Sequence, residues 1–273
     1  MSLPLEIDVI LPTIDENENL TILVPELLGL KNIKLNQIII VDDSNEDIQK
    51  RLTQISRDWP GNVKLLLRTG TNNSLASAIR SGAEASASPY VVWMDADLSM
   101  PANLIEQLVL KVEGPKSIII GSRFVEGGGF KGTSETSSKF SLNWMVKVRN
   151  SQDSILAVTL SRLLNSIIRF LIKGNVKDLT SGYILCSRDV ALDLLPEDGY
   201  GEYCIEFLSS ATNQGMETTE VGYICLPRRH GYSKTGLTMA QLIKTGFPYL
   251  LVATKNSKFL NFLRQRNDSG TYE

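Results

Sequence analysis

Two carboxylates one residue apart, Asp95 and Asp97, directly follow an apolar run over Tyr90–Met94. Such a run predicts a buried strand, and a turn at its end would hold both carboxylates close to one point. Two anions in this arrangement favour a divalent cation, which a diphosphate group could share. The same pair also occurs in solvated turns and helix caps, so its position after a strand is what indicates a metal site.

Two more polar clusters follow apolar runs in the same way. Asp42-Asp43 comes after the second run of the chain, and residues 12–16 come after the first. In a parallel sheet the carboxyl ends of the strands meet at one edge, where ligands bind. Each cluster alone is an ordinary helix cap. Together they predict a nucleotide site, with Asp42 accepting a hydrogen bond from a base and Asp97 meeting the metal.

The elements that must position these residues alternate along the first half of the chain. Short apolar runs predict strands at Ile7–Leu11, Gln37–Val41, Val63–Leu67, Tyr90–Met94 and Ser117–Ile120. Amphipathic stretches predict helices at Asn17–Leu30, Glu46–Ser56, Asn73–Ala87 and Ala102–Val112. Strands that alternate with helices predict an α/β fold with a doubly wound, mostly parallel sheet.

The second half of the chain is less regular. Its pattern predicts helices at Ile155–Ile172 and Glu202–Asn213, and strands at Thr180–Cys186 and Thr218–Cys225. Two amphipathic helices are predicted near the end, over Leu237–Gly246 and Tyr249–Leu263. We expect Pro248 to separate them, because proline cannot donate a helical hydrogen bond.

The C-terminal region is strongly basic, since residues 228–266 carry eight Lys and Arg side chains and no acidic one. Bulky aliphatic residues interrupt this run, which favours an anionic lipid surface over nucleic acid as its partner. A solvated helix face is the plain alternative. The uncharged stretch between Lys244 and Lys255 is ten residues long. A spanning helix needs about 20, so we expect helices that lie on the membrane.

Cysteine and histidine content argues against other chemistries. The three cysteines form no C-x-x-C pair, which disfavours a zinc site or disulfide framework and suits a reducing compartment. His230 is the only histidine, which argues against a His-based triad. The N-terminal residues lack a signal-peptide pattern, and we expect a cytoplasmic location.

Six motifs occur in the order typical of one family. They are Pro12-Thr13-x-x-Glu16, Val41-Asp42-Asp43, Asp95-Ala96-Asp97-Leu98-Ser99, Gly121-Ser122-Arg123-Phe124, Asp178-x-Thr180-Ser181-Gly182-Tyr183 and Arg228-x-x-Gly231-x-Ser233-Lys234. Over about residues 5–235 the chain therefore resembles the inverting family 2 glycosyltransferases, particularly the dolichyl-phosphate mannose synthase group. The resemblance implies a GT-A fold, in which a nucleotide-binding α/β sheet is joined to an acceptor region.

The resemblance also implies roles for individual residues. The nucleotide sugar would be bound by Pro12, Thr13, Glu16, Asp42, Asp43, Asp95 and Ala96, with Arg228 and Lys234 closing over its diphosphate. An Mg²⁺ or Mn²⁺ ion would be held by Asp95, Asp97 and Ser99. The acceptor phosphate would be met by Arg123, Arg162 and Ser181, since a guanidinium can pair two phosphate oxygens at once. The residues acting in catalysis would be Asp97, Arg123, Arg162, Arg228 and Lys234.

The chain also departs from the family pattern. Ile14-Asp15 replaces the usual Tyr-Asn, and Ser99 stands where many relatives have Gln. Lys131–Asp153 enlarges the segment between the two arginines predicted to meet the acceptor. The implied division is a catalytic domain over 1–235, with a nucleotide half (1–125) and an acceptor half (126–235, with its enlarged loop at 131–153), then interfacial helices (236–266) and a tail (267–273).

The activity implied is transfer of a sugar, with mannose from GDP-mannose favoured, to a polyprenyl phosphate with inversion at the anomeric carbon. A phosphate monoester is already ionised near neutral pH, so positioning arginines would replace a catalytic base. The alternatives are UDP-glucose or another donor, a sugar hydroxyl as acceptor with Glu202 or Glu206 as base, and a non-catalytic nucleotide-sugar-binding subunit. We expect a peripheral protein on the cytoplasmic face of a membrane. An integral-membrane protein is a possible partner, and nucleic acid is not expected to bind.

Overall fold

The computed structural model describes residues 5–70, 73–129, 155–172, 175–226 and 239–255, without the side chains of 155–161 and 239–246. The strands in these ranges are β1 (Glu6–Thr13), β2 (Lys34–Asp42), β3 (Val63–Leu67), β4 (Tyr90–Trp93), β5 (Ser117–Ser122), β6 (Ile184–Ser187) and β7 (Glu217–Gly222). They form one sheet in the order β3-β2-β1-β4-β6-β5-β7. Only β6 runs antiparallel to its neighbours in this sheet. The predicted nucleotide and acceptor halves therefore share a sheet.

Helices cover both faces of the sheet. They are α1 (Asn17–Leu28), α2 (Glu46–Asp58), α3 (Leu75–Ala85), α4 (Leu104–Val109), α5 (Ile155–Ile172), α6 (Arg188–Leu194), α7 (Tyr203–Asn213) and α8 (Met239–Lys255). The first core cluster, which includes Ile10, takes residues from α3, α5, α6, α7 and α8. The second, which includes Val9 and Leu11, takes residues from α1, α2 and α4. Successive side chains of β1 thus enter opposite cores, as the prediction of a doubly wound sheet requires.

The helix α3 lies very close to β1. A Cβ built on Gly82 would be 2.4 Å from Cγ2 of Ile10, so only glycine allows this approach without displacing the strand. The helix begins with a capping box between Ser74 and Ser77, which pairs amide groups that the helix itself leaves unbonded. Close packing and a firm cap together fix the first turn of α3 beside the end of β2.

Every predicted strand is present, although the less regular second half shows differences. The strand β6 begins at Ile184 rather than Thr180, because the Ser181 hydroxyl donates to the Gly121 carbonyl where a ladder bond would otherwise form. The short helix α6 is absent from the predicted elements. Ser187 caps it by accepting from the backbone nitrogen of Val190 at 3.3 Å.

The prediction that Pro248 separates two helices is wrong, because α8 runs through it from Met239 to Lys255. Proline in a helix interior costs about 3 kcal/mol. Packing offsets this cost, since Ala253 is fully buried and Tyr249 and Leu250 pack against the same core. Within the described ranges, no helix combines the length and apolar character needed to cross a membrane.

Candidate active site

The carboxyl ends of β1 and β2 are joined through a buried carboxylate. Thr13 pairs with Asp42 in the parallel register, and its hydroxyl donates to Asp42 Oδ2 at 2.8 Å. Ser44 donates to the same carboxylate from its backbone nitrogen (2.9 Å) and its hydroxyl (2.8 Å). Asp42 is fully buried, and both of its oxygens accept from protein groups. A nucleobase N–H would share one of these oxygens, and the base contact stays a prediction.

Asp43, the next residue, is held by an arginine. Arg68 donates from Nε to Asp43 Oδ1 at 2.7 Å and from Nη2 to Oδ2. The same guanidinium donates from Nη1 to the hydroxyl of Ser77 at 3.0 Å. Asp43 therefore anchors the end of β2 to the first turn of α3, and its predicted nucleotide contact stays untested. Arg68 directly follows β3, as the acidic clusters follow their strands, and this position marks it as a residue of the same sheet edge without indicating its partner.

The loop after β1 is held in a fixed shape. Asp15 has a φ of 61°, a left-handed conformation that Asp adopts more readily than most residues. Its backbone nitrogen donates to the Ser44 hydroxyl at 2.8 Å, which ties this loop to the one after β2. Glu16, just before α1, accepts from Nδ2 of the buried Asn19 at 2.5 Å. The carboxylate of Glu16 is thereby oriented at the same sheet edge as Pro12.

The turn after β4 carries the predicted metal ligands. Asp97 is buried, and its Oδ1 accepts from the Ser99 backbone nitrogen at 2.9 Å. Leu98, between them, has a φ of 62°, which is uncommon for a branched side chain. Its side chain is buried. The Leu226 backbone nitrogen donates to the Ser99 carbonyl at 2.8 Å, so the residues after β7 support the turn.

The donor set of this turn fits Mg²⁺ or Mn²⁺. Asp95, Asp97 and Ser99 offer only oxygen atoms from their side chains, and these hard ions prefer oxygen ligands. Among the described residues, no group of three or more His, Cys, Asp or Glu side chains is placed to hold a metal ion. A bound ion would complete its shell with water and diphosphate oxygens, the usual arrangement for Mg²⁺ beside phosphates.

A buried ion pair stands at the end of β5. Arg123 donates from Nε (2.8 Å) and Nη2 (2.7 Å) to the two oxygens of Asp178. Burial would lower the pKa of Arg123, but the charge of Asp178 raises it well above its usual value. Burial would raise the pKa of Asp178, but the charge and hydrogen bonds of Arg123 hold it below its usual value. Both groups are therefore charged at neutral pH.

A second arginine lies beside this pair. The Cζ atoms of Arg123 and Arg162 are 5.6 and 5.8 Å from the centre of the Phe124 ring, which is within cation–π range. Arg162 comes from α5 and is half-buried, and burial lowers its pKa. The structure thus brings the two arginines that are predicted to meet the acceptor phosphate to one aromatic ring.

One short segment connects the ion pair to the carboxylate turn. It begins at Asp178 and reaches Gly182, where a Cβ would lie 3.7 Å from Asp95 Oδ1. Four residue steps span at most about 14 Å, so the ion pair and the carboxylate turn lie near each other. Within the segment Ser181 is buried and its hydroxyl donates to the Gly121 carbonyl. The phosphate contact predicted for Ser181 would need this bond to open.

Three other predictions lie outside the described residues. They concern Arg228, Lys234 and the enlarged segment Lys131–Asp153. The two carboxylates offered as alternative bases are described and lie on or next to α7. Glu202 and Glu206 are both half-buried, and Glu202 accepts from the Tyr200 backbone nitrogen at 3.3 Å.

Comparison with known families identifies the class of this protein. The family described as Glycosyl transferase family 2 matches residues 8–195. The chain belongs to this family. The matched range includes the described polar residues after β1, β2 and β4, together with Arg123, Arg162 and the segment Asp178–Gly182.

Relatives of this glycosyltransferase carry names from lipid-linked mannose transfer. The polyprenol monophosphomannose synthase of Mycolicibacterium smegmatis is 29% identical over 236 residues, which cover 83% of this chain and 79% of that protein. The dolichol-phosphate mannosyltransferase of Pyrococcus furiosus is 34% identical over 125 residues, which cover 45% of this chain and 35% of that protein. The chain thus matches about a third of the length of the Pyrococcus protein.

A solved structure shows the fold of this glycosyltransferase independently. Glucosyl-3-phosphoglycerate synthase from Mycobacterium tuberculosis, in complex with Mn²⁺, UDP and glucosyl-3-phosphoglycerate, superimposes with a TM-score of 0.63 at 15% identity. The match covers 92% of this chain and 80% of that one. The same enzyme with Mn²⁺, UDP-glucose and glycerol 3-phosphate gives a TM-score of 0.62. The predicted GT-A fold is confirmed.

Proposed function

We propose that this glycosyltransferase moves a hexose, mannose from GDP-mannose in the favoured case, to a polyprenyl phosphate of the dolichyl type with inversion at the anomeric carbon. The observation that carries the proposal is the segment Asp178–Gly182. Its first residue is paired with Arg123, and its last lies beside Asp95. Cations at one end and metal-suited carboxylates at the other fit a reaction between two phosphate-bearing substrates. The names of the Mycolicibacterium and Pyrococcus relatives support the same substrates.

At the donor end, Asp95 and Asp97 with Ser99 would hold Mg²⁺ or Mn²⁺. A bound ion would neutralise the negative charge on the departing nucleoside diphosphate. Asp97 is oriented for this role by the Ser99 backbone nitrogen. The solved relative was crystallised with Mn²⁺ and UDP, which supports a divalent ion beside the nucleotide here. Arg228 and Lys234 would close over the same diphosphate.

At the acceptor end, the arginines would orient a group that is already nucleophilic. A phosphate monoester has its second pKa near 6, so it needs no side chain to remove a proton at neutral pH. Arg162 would supply a second cation beside Arg123, which also donates to Asp178 from Nε and Nη2. A phosphate oxygen then attacks the anomeric carbon opposite the diphosphate. The new C–O bond forms as the bond to the diphosphate breaks, which inverts the carbon.

A second candidate function uses the same site with a different nucleotide sugar as donor. The solved glucosyl-3-phosphoglycerate synthase binds UDP-glucose with Mn²⁺, and its fold covers nearly the whole chain. Near the base-binding residues, Ile14-Asp15 replaces the Tyr-Asn of the family pattern. A glucosyltransferase that uses UDP-glucose is therefore the alternative for the donor.

Release of nucleoside diphosphate separates these candidates. GDP-mannose and UDP-glucose would each be incubated with Mn²⁺, with and without a polyprenyl phosphate. We expect GDP release from GDP-mannose that depends on the lipid phosphate. Acceptor-dependent UDP release would favour the second candidate. If neither donor is consumed although both bind, the chain is a non-catalytic nucleotide-sugar-binding subunit.

We also propose that α5 and α8 rest on the surface of a membrane. Together they expose five large apolar side chains: Leu163, Ile167, Phe170, Phe247 and Leu251. On each helix these residues recur every three or four positions, which places them on one face. The two helices pack on each other and contain no acidic residue. An apolar face with basic neighbours is typical of an interfacial helix, and it would bring Arg162 near the lipid headgroups.

Flotation with anionic liposomes tests this docking. We expect the full chain to float at low salt, and the double variant Leu163→Ser and Phe170→Ser to float much less. A chain that ends near Gly236 should also lose flotation, because it lacks α8. Leu110→Ser is the matched control, because Leu110 is 79% exposed beside α4 on the other face of the sheet. Failure of the full chain to float would contradict docking and favour a soluble acceptor.

A further inference from the structure

The helix α8 brings one polar side chain to the inner side of the molecule. Tyr249 is half-buried and lies on the side of α8 opposite the exposed Phe247 and Leu251. Its hydroxyl rests against Gly201, where a Cβ would be 1.8 Å from Tyr249 Oη and 2.9 Å from Cζ. Any side chain at Gly201 would therefore displace the tyrosine, and the two residues form a close-fitting contact.

Gly201 is linked to the carboxylate turn by a series of contacts. Tyr203 follows two residues later, and its hydroxyl accepts from Trp93 Nε1 at 3.0 Å. That hydroxyl lies beside Gly182, whose Cβ would be 3.5 Å from it and 3.7 Å from Asp95 Oδ1. A series of contacts thus leads from Tyr249 through Gly201 and the buried Tyr203 to Gly182 beside Asp95.

The hydroxyl of Tyr249 is suited to donate a hydrogen bond. Burial raises the pKa of Tyr249 well above its usual value, and the nearby charges of Glu202 and Asp95 raise it further, whereas Arg123 lowers it. The phenol therefore stays protonated near neutral pH, within the electrostatic reach of both ends of the site.

We propose that Tyr249 is an acceptor-binding residue, whose hydroxyl donates a hydrogen bond to the acceptor phosphate beside Arg123 and Arg162. The inference rests on the proposed function, since it takes a phosphate as the acceptor group. Tyr249 lies beyond residues 8–195, so the family match assigns it no role. The helix that exposes Phe247 and Leu251 outward would thus carry part of the acceptor site on its inner side.

The variant Tyr249→Phe tests this assignment because it keeps the ring and removes the hydroxyl. We expect the acceptor KM to rise roughly tenfold to a hundredfold, the range for a lost hydrogen bond to a charged group. Donor affinity by calorimetry and the melting temperature should stay at wild-type values. Tyr200→Phe is the matched control, since Tyr200 is exposed and its hydroxyl donates to the Asn73 carbonyl at 3.3 Å. It should leave the acceptor KM unchanged.

Gly201→Ala provides a second, independent test. Its methyl group would push the Tyr249 hydroxyl aside, so the acceptor KM should rise in the wild-type background. In the Tyr249→Phe background the same change should have less effect, because the nearest atom is gone. An unchanged acceptor KM in Tyr249→Phe, with a wild-type enzyme that uses polyprenyl phosphate, would overturn this proposal alone. A wild-type enzyme that uses no phosphate acceptor would overturn the proposed function as well.

Discussion

The proposed donor end, at Asp42 and Asp97, and the proposed acceptor end, at Arg123 and Asp178, are built in different ways. At the donor end, Asp42 is the last residue of β2, and its carboxylate accepts from Thr13 at the end of β1 and from Ser44. At the acceptor end, the paired residues Arg123 and Asp178 are 55 positions apart in the chain. The side-chain bonds of Asp42 to Thr13 and of Asp43 to Arg68 span 29 and 25 positions, whereas the pair at the acceptor end spans 55 positions and joins the end of β5 to the segment before β6. Variants at the two ends should fail differently.

The ion pair at the acceptor end should give the largest effect on stability. Asp178→Asn leaves the largely buried Arg123 without its charged partner, which should lower the free energy of unfolding by about 3 kcal/mol, the low end of the range for a broken buried pair. Chemical denaturation would measure it, with the exposed Asp193→Asn as a control of unchanged stability. A variant as stable as the wild type would show that the pair does not hold the acceptor end together.

The same pair predicts how stability depends on pH. The folded pKa of Asp178 lies below its usual value of 3.8, because the charge of Arg123 outweighs the effect of burial. Its contribution is therefore fully present above pH 3.8 and is lost as the pH falls through the lower, folded pKa. We expect the stability difference between the wild type and Asp178→Asn to narrow below about pH 4. A difference that stays constant to lower pH would contradict the assignment.

At the donor end, Asp97→Asn should remove activity without unfolding the protein. The change keeps the size of the side chain and removes the charge that a divalent ion needs, so turnover should fall by about two to three orders of magnitude. The melting temperature should stay near that of the wild type. Asp58→Asn, at an exposed position on α2, should retain full activity. Wild-type turnover of Asp97→Asn in EDTA would refute the metal assignment.

The two arginines beside Phe124 should have different roles: loss of Arg162 should affect acceptor binding rather than stability. Arg162→Ala should raise the acceptor KM by roughly ten- to a hundredfold with little change in stability or donor affinity. Lysine should be a poor substitute, since it cannot pair two phosphate oxygens with one planar group. The control is Arg169→Ala, on the exposed side of α5, which should leave the acceptor KM unchanged. Both variants would be assayed in solution with a short-chain acceptor. Weaker donor binding by Arg162→Ala would show that Arg162 contacts the donor rather than the acceptor.

The same contrast explains how much could be predicted from the sequence. Strands and the polar residues after them are local patterns, so the sheet and the clusters at Asp42 and Asp95 were predictable. The partnership of Asp43 with Arg68 depends on how β3 and α3 pack, and the sequence pattern does not contain it. Continuation of α8 through Pro248 reflects packing that outweighs a local preference.

The contact of Tyr249 with Gly201 could not be predicted either, because the two residues meet only when α8 lies on α7. No local pattern marks either residue as part of a site. The family match ends at residue 195, before α7 and α8.

The central claim is that the acceptor end binds a phosphate. It is tested most directly by transfer of labelled mannose from GDP-mannose to a short-chain polyprenyl phosphate and to the matching polyprenol. We predict labelled product from the phosphate alone, with a rate that rises through about pH 6 as the phosphate loses its second proton. Comparable transfer to the alcohol, with no such dependence on pH, would contradict the account.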